Sequence, residues 1–176
     1  MKVLHVNAGL ENGGGLSHIV NLLTEAKNEG KDFELLTLAE GPVAQAARAK
    51  GITTHVLGAN SRYDLASLRK LTQFISNGHY DIVHTHGARA NLFLSLIYKK
   101  IKATWCITVH SDPYLDFEER GILGKIFTKL NLRALRKADC VFAVTNRFAQ
   151  LLINKVQVDK SKVHVIYNGI FFYSDS

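Results

Sequence analysis

The chain is poor in residues that staple, anchor or interrupt a fold: among 176 residues there are two cysteines, two prolines, one tryptophan and one methionine. Two cysteines cannot build the disulfide framework of a small secreted domain. Cys106 and Cys140 each sit in a strand-like apolar run, TWCITV and DCVFAV, where a small thiol packs as a hydrophobe. Both are expected to be reduced, buried and inert. Long apolar runs are missing too. None approaches the roughly 18 residues that cross a bilayer, and the early VLHV is broken by Asn7 and Gly9, which argues against a secretory signal. The expected location is cytoplasmic. Acidic residues are scarce in one half only: residues 1–88 hold 8 Lys/Arg against 8 Asp/Glu, whereas residues 89–176 hold 14 against 7, so the whole formal charge of +7 lies in the second half. Such asymmetry marks an anionic partner or an acidic neighbouring domain.

Missing motifs narrow the chemistry further. The dinucleotide fingerprint G-x-G-x-x-G is unmatched, because Gly13 and Gly15 are followed by His18 rather than glycine. The triphosphate loop G-x-x-x-x-G-K-[ST] and the nucleophile elbow G-x-S-x-G are absent. Aromatic residues do not interleave with the basic ones, so nucleic acid is not an expected partner. There is no internal repeat and no low-complexity segment.

What is present is an alternation of short β-branched runs with segments of helical period. KVLHVN, DFELLTL, ITTHVL, YDIVHT, ATWCITVH, ADCVFAVT and KVHVIYN read as seven strands. Between them, Ile19, Leu22, Leu23 and Ala26 form one apolar stripe, and Leu65, Leu68, Leu71 and Ile75 another. Pro42 suits a first helical turn, Asp64 an N-cap, and Gly30, Gly51 and Gly78 left-handed helix stops. Strands separated by helices predict an α/β fold, a Rossmann-like three-layer α/β/α sandwich on a parallel seven-stranded sheet. Two right-handed windings outward from a central first strand predict the order 3-2-1-4-5-6-7.

In such a sheet ligands bind outside the carboxyl ends of the strands, and the unusual residues cluster in the strand-to-helix loops. The first of these, NAGLENGGGLSHIV, runs from glycines into a helix. Gly13, Gly14 and Gly15 let a phosphate or a sugar hydroxyl approach backbone N–H groups at a helix start, where the macrodipole favours negative charge. A flexible turn is the alternative.

In order along the chain, GGGLSHIVNL, DIVHTHG, ITVHSD and VIYNGI resemble the N-terminal, acceptor-side lobe of GT-B-type retaining glycosyltransferases of family 4. The resemblance implies that residues 1–168 form a lobe that holds mainly the acceptor, a glycan or lipid-linked molecule. Residues 169–176 would begin the interdomain linker, and a C-terminal lobe that binds the nucleotide-sugar donor is missing. The chain is accordingly expected to be a truncated lobe, inactive alone. Implied as well are no cofactor, no metal, hexosyl transfer with retention in cell-envelope polysaccharide synthesis, and help from the departing nucleotide diphosphate in place of a protein nucleophile. A cofactor-binding domain of an oxidoreductase or epimerase, or a non-catalytic lobe that kept the fold, are the alternatives.

Most of the eight histidines need no function. His5, His55 and His164 lie within strands, and His79 at the opposite end of the sheet. His84 and His86 project to one face of their strand, but the sequence shows no third metal ligand of matching register. His110 ends the fifth strand, and its TVH context matches a family position that contacts the transferred sugar, which makes it the catalytic candidate; a loop histidine is the alternative. His86, Arg89 and Asn146 are candidate substrate contacts, with His18 weaker. Asp112, Asp116, Glu118 and Glu119 read as an exposed acidic loop.

RGILGKIFTKLNLRALRK, Arg120 to Lys137, sets apolar residues at 122, 123, 126, 127, 130 and 134 against Lys125, Lys129, Arg133 and Arg136. Packing on the sheet through the apolar face is the expectation. Peripheral contact with an anionic membrane at its inner face is the alternative.

Overall fold

A computed structural model describes residues 1–58 and 65–166. Seven strands are present: β1 (Lys2–Asn7), β2 (Asp32–Thr37), β3 (Thr54–Val56), β4 (Ile82–His86), β5 (Thr104–Val109), β6 (Cys140–Ala143) and β7 (Val163–Val165). Every pairing is parallel and the order is β3-β2-β1-β4-β5-β6-β7, as the alternation predicts. The helices are α1 (Gly14–Asn28), α2 (Pro42–Ala49), α3 (Leu65–Gly78), α4 (Ala88–Ile97), α5 (Gly121–Lys137) and α6 (Asn146–Leu151). The linker boundary at 168 and the cap at Asp64 lie outside the described residues.

Strand alternation divides the core. Leu4, Val6, Leu36, Val83, Ile107 and Val141 face α3 to α6, whereas on the other face Leu35 packs against α1 and α2 through Ile19, Leu23, Val43 and Ala47. Val3, Ile82, Cys106 and Phe142 continue a third cluster. The period-2 pattern of each strand therefore serves two helix layers.

Several local expectations change. Leu65 is exposed, since α3 turns only Ser67, Leu71 and Ile75 fully inward. The left-handed residue after α3 is His79, at φ 51°, and not Gly78. Gly78 is needed for another reason: a Cβ there would sit 2.2 Å from the Tyr80 ring. Cys106 is buried but Cys140, opposite it on β6, is only half-buried; both are free thiols. On α5 the inward face is Gly124, Asn131, Ala134 and Leu135, while Ile122, Leu123, Ile126 and Leu130 are exposed. The expected packing of those four leucine and isoleucine side chains on the sheet is not found. Gly124 explains the inward choice, because any Cβ there would meet the Phe117 carbonyl at 2.1 Å.

A buried polar chain ties α4 and α5 to the sheet. Trp105 Nε1 donates to Thr85 Oγ1 at 3.0 Å, Thr85 Oγ1 donates to Asn91 Oδ1 at 2.7 Å, and Asn91 Nδ2 donates to Asn131 Oδ1 at 3.0 Å. Fully satisfied, such a chain specifies one packing; broken, it leaves polar atoms dry. Thr85→Val strands both the indole N–H and the Asn91 carbonyl. It should lower unfolding free energy by about 2–4 kcal/mol in urea titrations, and a loss below about 0.5 kcal/mol would show that the network contributes little.

A histidine-lined cavity at the strand ends

The sheet changes winding direction between β1 and β4, and a crevice opens at their carboxyl ends. Asn7, the last residue of β1, pairs in register with His86, the last of β4. Its side chain is fully buried: Oδ1 accepts from the Gly9 N–H at 2.8 Å and Nδ2 donates to the His86 carbonyl at 3.0 Å. One amide thus fastens the glycine loop to the neighbouring strand. Gly9, at φ 96°, admits no side chain, since a Cβ would stand 2.5 Å from the Ala39 carbonyl oxygen.

Two helices begin here without side-chain caps: α1 after Gly13 (φ 69°) and α4 after Gly87 (φ 94°). Their N-cap residues offer no side chain to the first-turn N–H groups, in contrast with α6, whose Phe148 N–H is taken by the Thr145 hydroxyl. Between them lies a cavity of about 310 Å³ lined by Asn7, Glu11, Gly15, His86, His110 and Asp116 among others. An adjoining hollow shares Glu11, Gly87 and Asp116 and adds Arg89.

The structure collects five histidines beside this cavity. His5 stands opposite His84 in the β1–β4 register, and its Nδ1 is 2.8 Å from His86 Nε2. His84 and His86 stack at 4.4 Å, and His84 Nε2 meets the Thr108 hydroxyl at 2.5 Å. His18, from the first turns of α1, packs edge-on against His110 with ring centroids 4.1 Å apart. Burial lowers the basicity of all five, taking His5 and His110 down to about 3, with the neighbouring His18 adding to the effect in both. His5 Nε2, His18 Nε2, His86 Nδ1 and His110 Nε2 are buried without a hydrogen-bond partner among the described residues.

Of the residues singled out from sequence, Gly15, His86 and His110 line the cavity and Arg89 lines the adjoining hollow. Gly13 and Gly14 are exposed at the lip, and exposed Asn146 begins α6 and lines neither. Glu11 was not legible as a site residue. It lies between the glycines with no motif around it, yet burial raises its carboxyl above the usual range, against a hydrogen bond from Asn7 and the charge of Arg89. Asp116 belongs to the acidic loop read as exposed, and the residue is; its carboxylate accepts from Ser111 Oγ at 2.6 Å, and burial of that group raises it.

A glycine loop, two helix starts without side-chain caps and a histidine at the end of β5 are gathered at the winding reversal of a parallel sheet, in a lobe of the Rossmann-like kind. The family model of glycosyltransferase family 4 matches residues 12–171, and the chain belongs to that family. It is 26% identical over 149 residues to an Escherichia coli UDP-Gal:alpha-D-GlcNAc-diphosphoundecaprenol alpha-1,3-galactosyltransferase, covering 81% of this chain and 38% of that one. The Anabaena protein HepE in complex with UDP-glucose shares the fold at a TM-score of 0.76 and 15% identity, over 96% of this chain and 44% of HepE. A UDP-N-acetylglucosamine 2-epimerase from Rickettsia bellii also shares it, at 0.65 and 13% identity over 96% and 45%. The chain therefore spans less than half the length of these relatives.

The neutral histidines give a pH dependence whose sign is set. An imidazole that titrates near 6.5 when unfolded and far lower when folded contributes stability that is complete above pH 6.5 and is lost as pH falls toward the folded value. For fully buried His5 the window runs from 6.5 to about 3, at roughly 1.4 kcal/mol per pH unit. Glu11 and Asp116, raised in the fold, pull the opposite way. Urea midpoints should fall steadily between pH 6.5 and 5, and a flat profile there would mean that the cluster protonates without unfolding.

Proposed function

We propose that the chain is the acceptor-binding lobe of a retaining glycosyltransferase that moves a hexose from a nucleotide-sugar donor to a glycan or lipid-linked acceptor of the cell envelope. The observation that supports it most is the cavity itself: two uncapped helix N-termini converge on it beside His110, within a family 4 chain. Its volume of about 310 Å³ sits at the small end of ligand pockets, suited to a single sugar ring. The galactosyltransferase relative, whose name specifies a diphosphoundecaprenol acceptor, favours the lipid-linked alternative. A donor-binding lobe would be the partner across the cavity.

In this reading the cavity residues position rather than attack. Backbone N–H groups at Gly15 and after Gly87 offer hydrogen bonds to developing oxyanions. Neutral His110 presents a ring nitrogen, or its carbonyl, to the transferred sugar. Glu11, with Oε2 unpartnered, can take an acceptor hydroxyl. The departing diphosphate assists deprotonation of the acceptor on the same face, so no protein nucleophile is needed. In the complete enzyme His110→Ala should lower kcat by roughly 10²-fold or more with little loss of stability. Gly14→Val should impair acceptor KM and kcat together while unfolding normally, because a Cβ at Gly14 meets nothing within 4 Å. The isolated chain should show no transfer. Unchanged kinetics in the His110 variant, or full turnover by the chain alone, would refute the assignment.

Access to a lipid-linked acceptor would come through α5. Ile122, 79% exposed, leads an outward stripe with Leu123, Ile126 and Leu130, and exposed Lys125, Lys129 and Arg133 flank it. Beside Leu130, a hollow between α4 and α5 adds Leu96, Lys99, Lys100 and Lys137. Apolar side chains with basic neighbours suit peripheral contact with an anionic bilayer, each cation adding about 1 kcal/mol near the surface. No helix among the described residues is long and apolar enough to cross a membrane. Sedimentation with phosphatidylglycerol vesicles should retain the chain at low salt, and Lys125→Glu/Lys129→Glu should weaken binding at least tenfold. Equal binding to purely zwitterionic vesicles would remove the electrostatic part of the argument.

A further inference from the structure

We infer that the hollow between α4 and α5 seats the headgroup of a single anionic phospholipid, whose acyl chains run beside the exposed ridge of α5. The inference rests on the membrane contact proposed above and deepens it, because one stoichiometric site takes the place of a diffuse basic surface. The hollow encloses about 330 Å³ and shares no lining residue with the histidine cavity. Lys99 and Lys100 reach it from just past α4, and Arg133 and Lys137 from the last turns of α5.

Charge selects an anion. All four cations are exposed, and among the described residues no Asp or Glu lines the hollow with them. Elsewhere the chain engages its cations: Arg48 with Glu40, Lys2 with Glu34, and Arg136 with the Val156 carbonyl. Among the described residues Lys100, Arg133 and Lys137 have no hydrogen-bond or ion-pair partner, and Lys99 stands only over the Tyr98 ring, at 5.9 Å. The carboxyl ends of α4 and α5 supply about half a negative charge each, so the four cations leave a net of about three positive charges. A phosphodiester answers that field: the Arg133 guanidinium can hold two of its oxygens at once while the lysines act as point charges.

Position selects a lipid over a free phosphate. On α5, Leu130, Arg133, Ala134 and Lys137 follow the i, i+3, i+4 and i+7 spacing of one helix face. Ile122 and Ile126 precede Leu130 by two turns and one on that face, so an exposed apolar ridge about 12 Å long runs into the cationic hollow. Leu96, 51% exposed on α4, forms the facing rim. A surface that is apolar along its length and cationic at one end complements an amphiphile with a negative head. A free anion would satisfy the cations and leave the whole ridge in water.

Titration of the chain with dihexanoyl phosphatidylglycerol below its micelle concentration, followed by backbone NMR shifts, tests the site with neither a bilayer nor transferase activity. One lipid per chain should bind, with shifts centred on residues 95–100 and 130–137. Dihexanoyl phosphatidylcholine and glycerol 3-phosphate should each bind roughly tenfold more weakly or worse, the first for want of net charge and the second for want of chains. Lys100→Ala/Arg133→Ala should weaken the phosphatidylglycerol by roughly tenfold or more, while Lys160→Ala, an exposed cation outside the hollow, should change it less than about twofold. Leu96→Ser/Leu130→Ser should erase the preference for the lipid over glycerol 3-phosphate, and circular dichroism confirms that each variant is folded. Equal binding of glycerol 3-phosphate or of the phosphatidylcholine, indifference to Lys100 and Arg133, or shifts centred outside the hollow would each overturn the site. Retention on phosphatidylglycerol vesicles without monomer binding would also overturn it, and would leave the peripheral contact of α5 standing.

Discussion

The parallel pairing of β1 with β4 is the constraint on which the rest depends. These strands are separated by two βα units in sequence, and joining them across the reversal leaves the carboxyl ends of both uncovered by a crossing loop. That geometry alone makes the crevice. It also sets His5 against His84 and Asn7 against His86, and so brings the one buried amide that holds the glycine loop into reach of the β4 carbonyl. Losing the register by one residue would turn every one of these side chains to the opposite face.

The crevice carries a thermodynamic cost that the core must offset. Among the described residues four imidazole nitrogens are buried without partners, and each such group costs about 1–3 kcal/mol relative to a bonded one. Proteins retain that kind of penalty where a ligand supplies the missing partner. Polar groups on α4, α5 and the strands behind them are treated differently: Trp105, Thr85, Asn91 and Asn131 close on one another.

Helix α5 shows a related division. Its inward face is Gly124, Asn131, Ala134 and Leu135, with Gly124 admitting the Phe117 carbonyl and Asn131 completing the polar chain, while Ile122, Leu123, Ile126 and Leu130 are exposed beside the lysines. Close approach of backbone to backbone at Gly124, together with burial of Ala134 and Leu135, selected the buried side.

Much of the architecture was legible in residue order. Alternating β-branched runs and helical stripes determine a parallel doubly wound sheet, because right-handed crossovers permit few other arrangements, and the ordered motifs GGGLSHIVNL, DIVHTHG and ITVHSD point to the family and to His110. The histidine cluster was not legible, because its members come from β1, α1, β4 and the end of β5, and only pairing across the sheet makes them neighbours. Glu11 was hidden for the same reason: a carboxyl acquires an altered proton affinity from its surroundings, which the local sequence does not contain. The face of α5 was misread because periodicity reports how apolar residues are spaced but not which stripe the neighbouring backbone can approach. Sequence determined the elements and their winding; only tertiary structure decided which side chains share a dry space, since burial and proximity are properties of several segments at once.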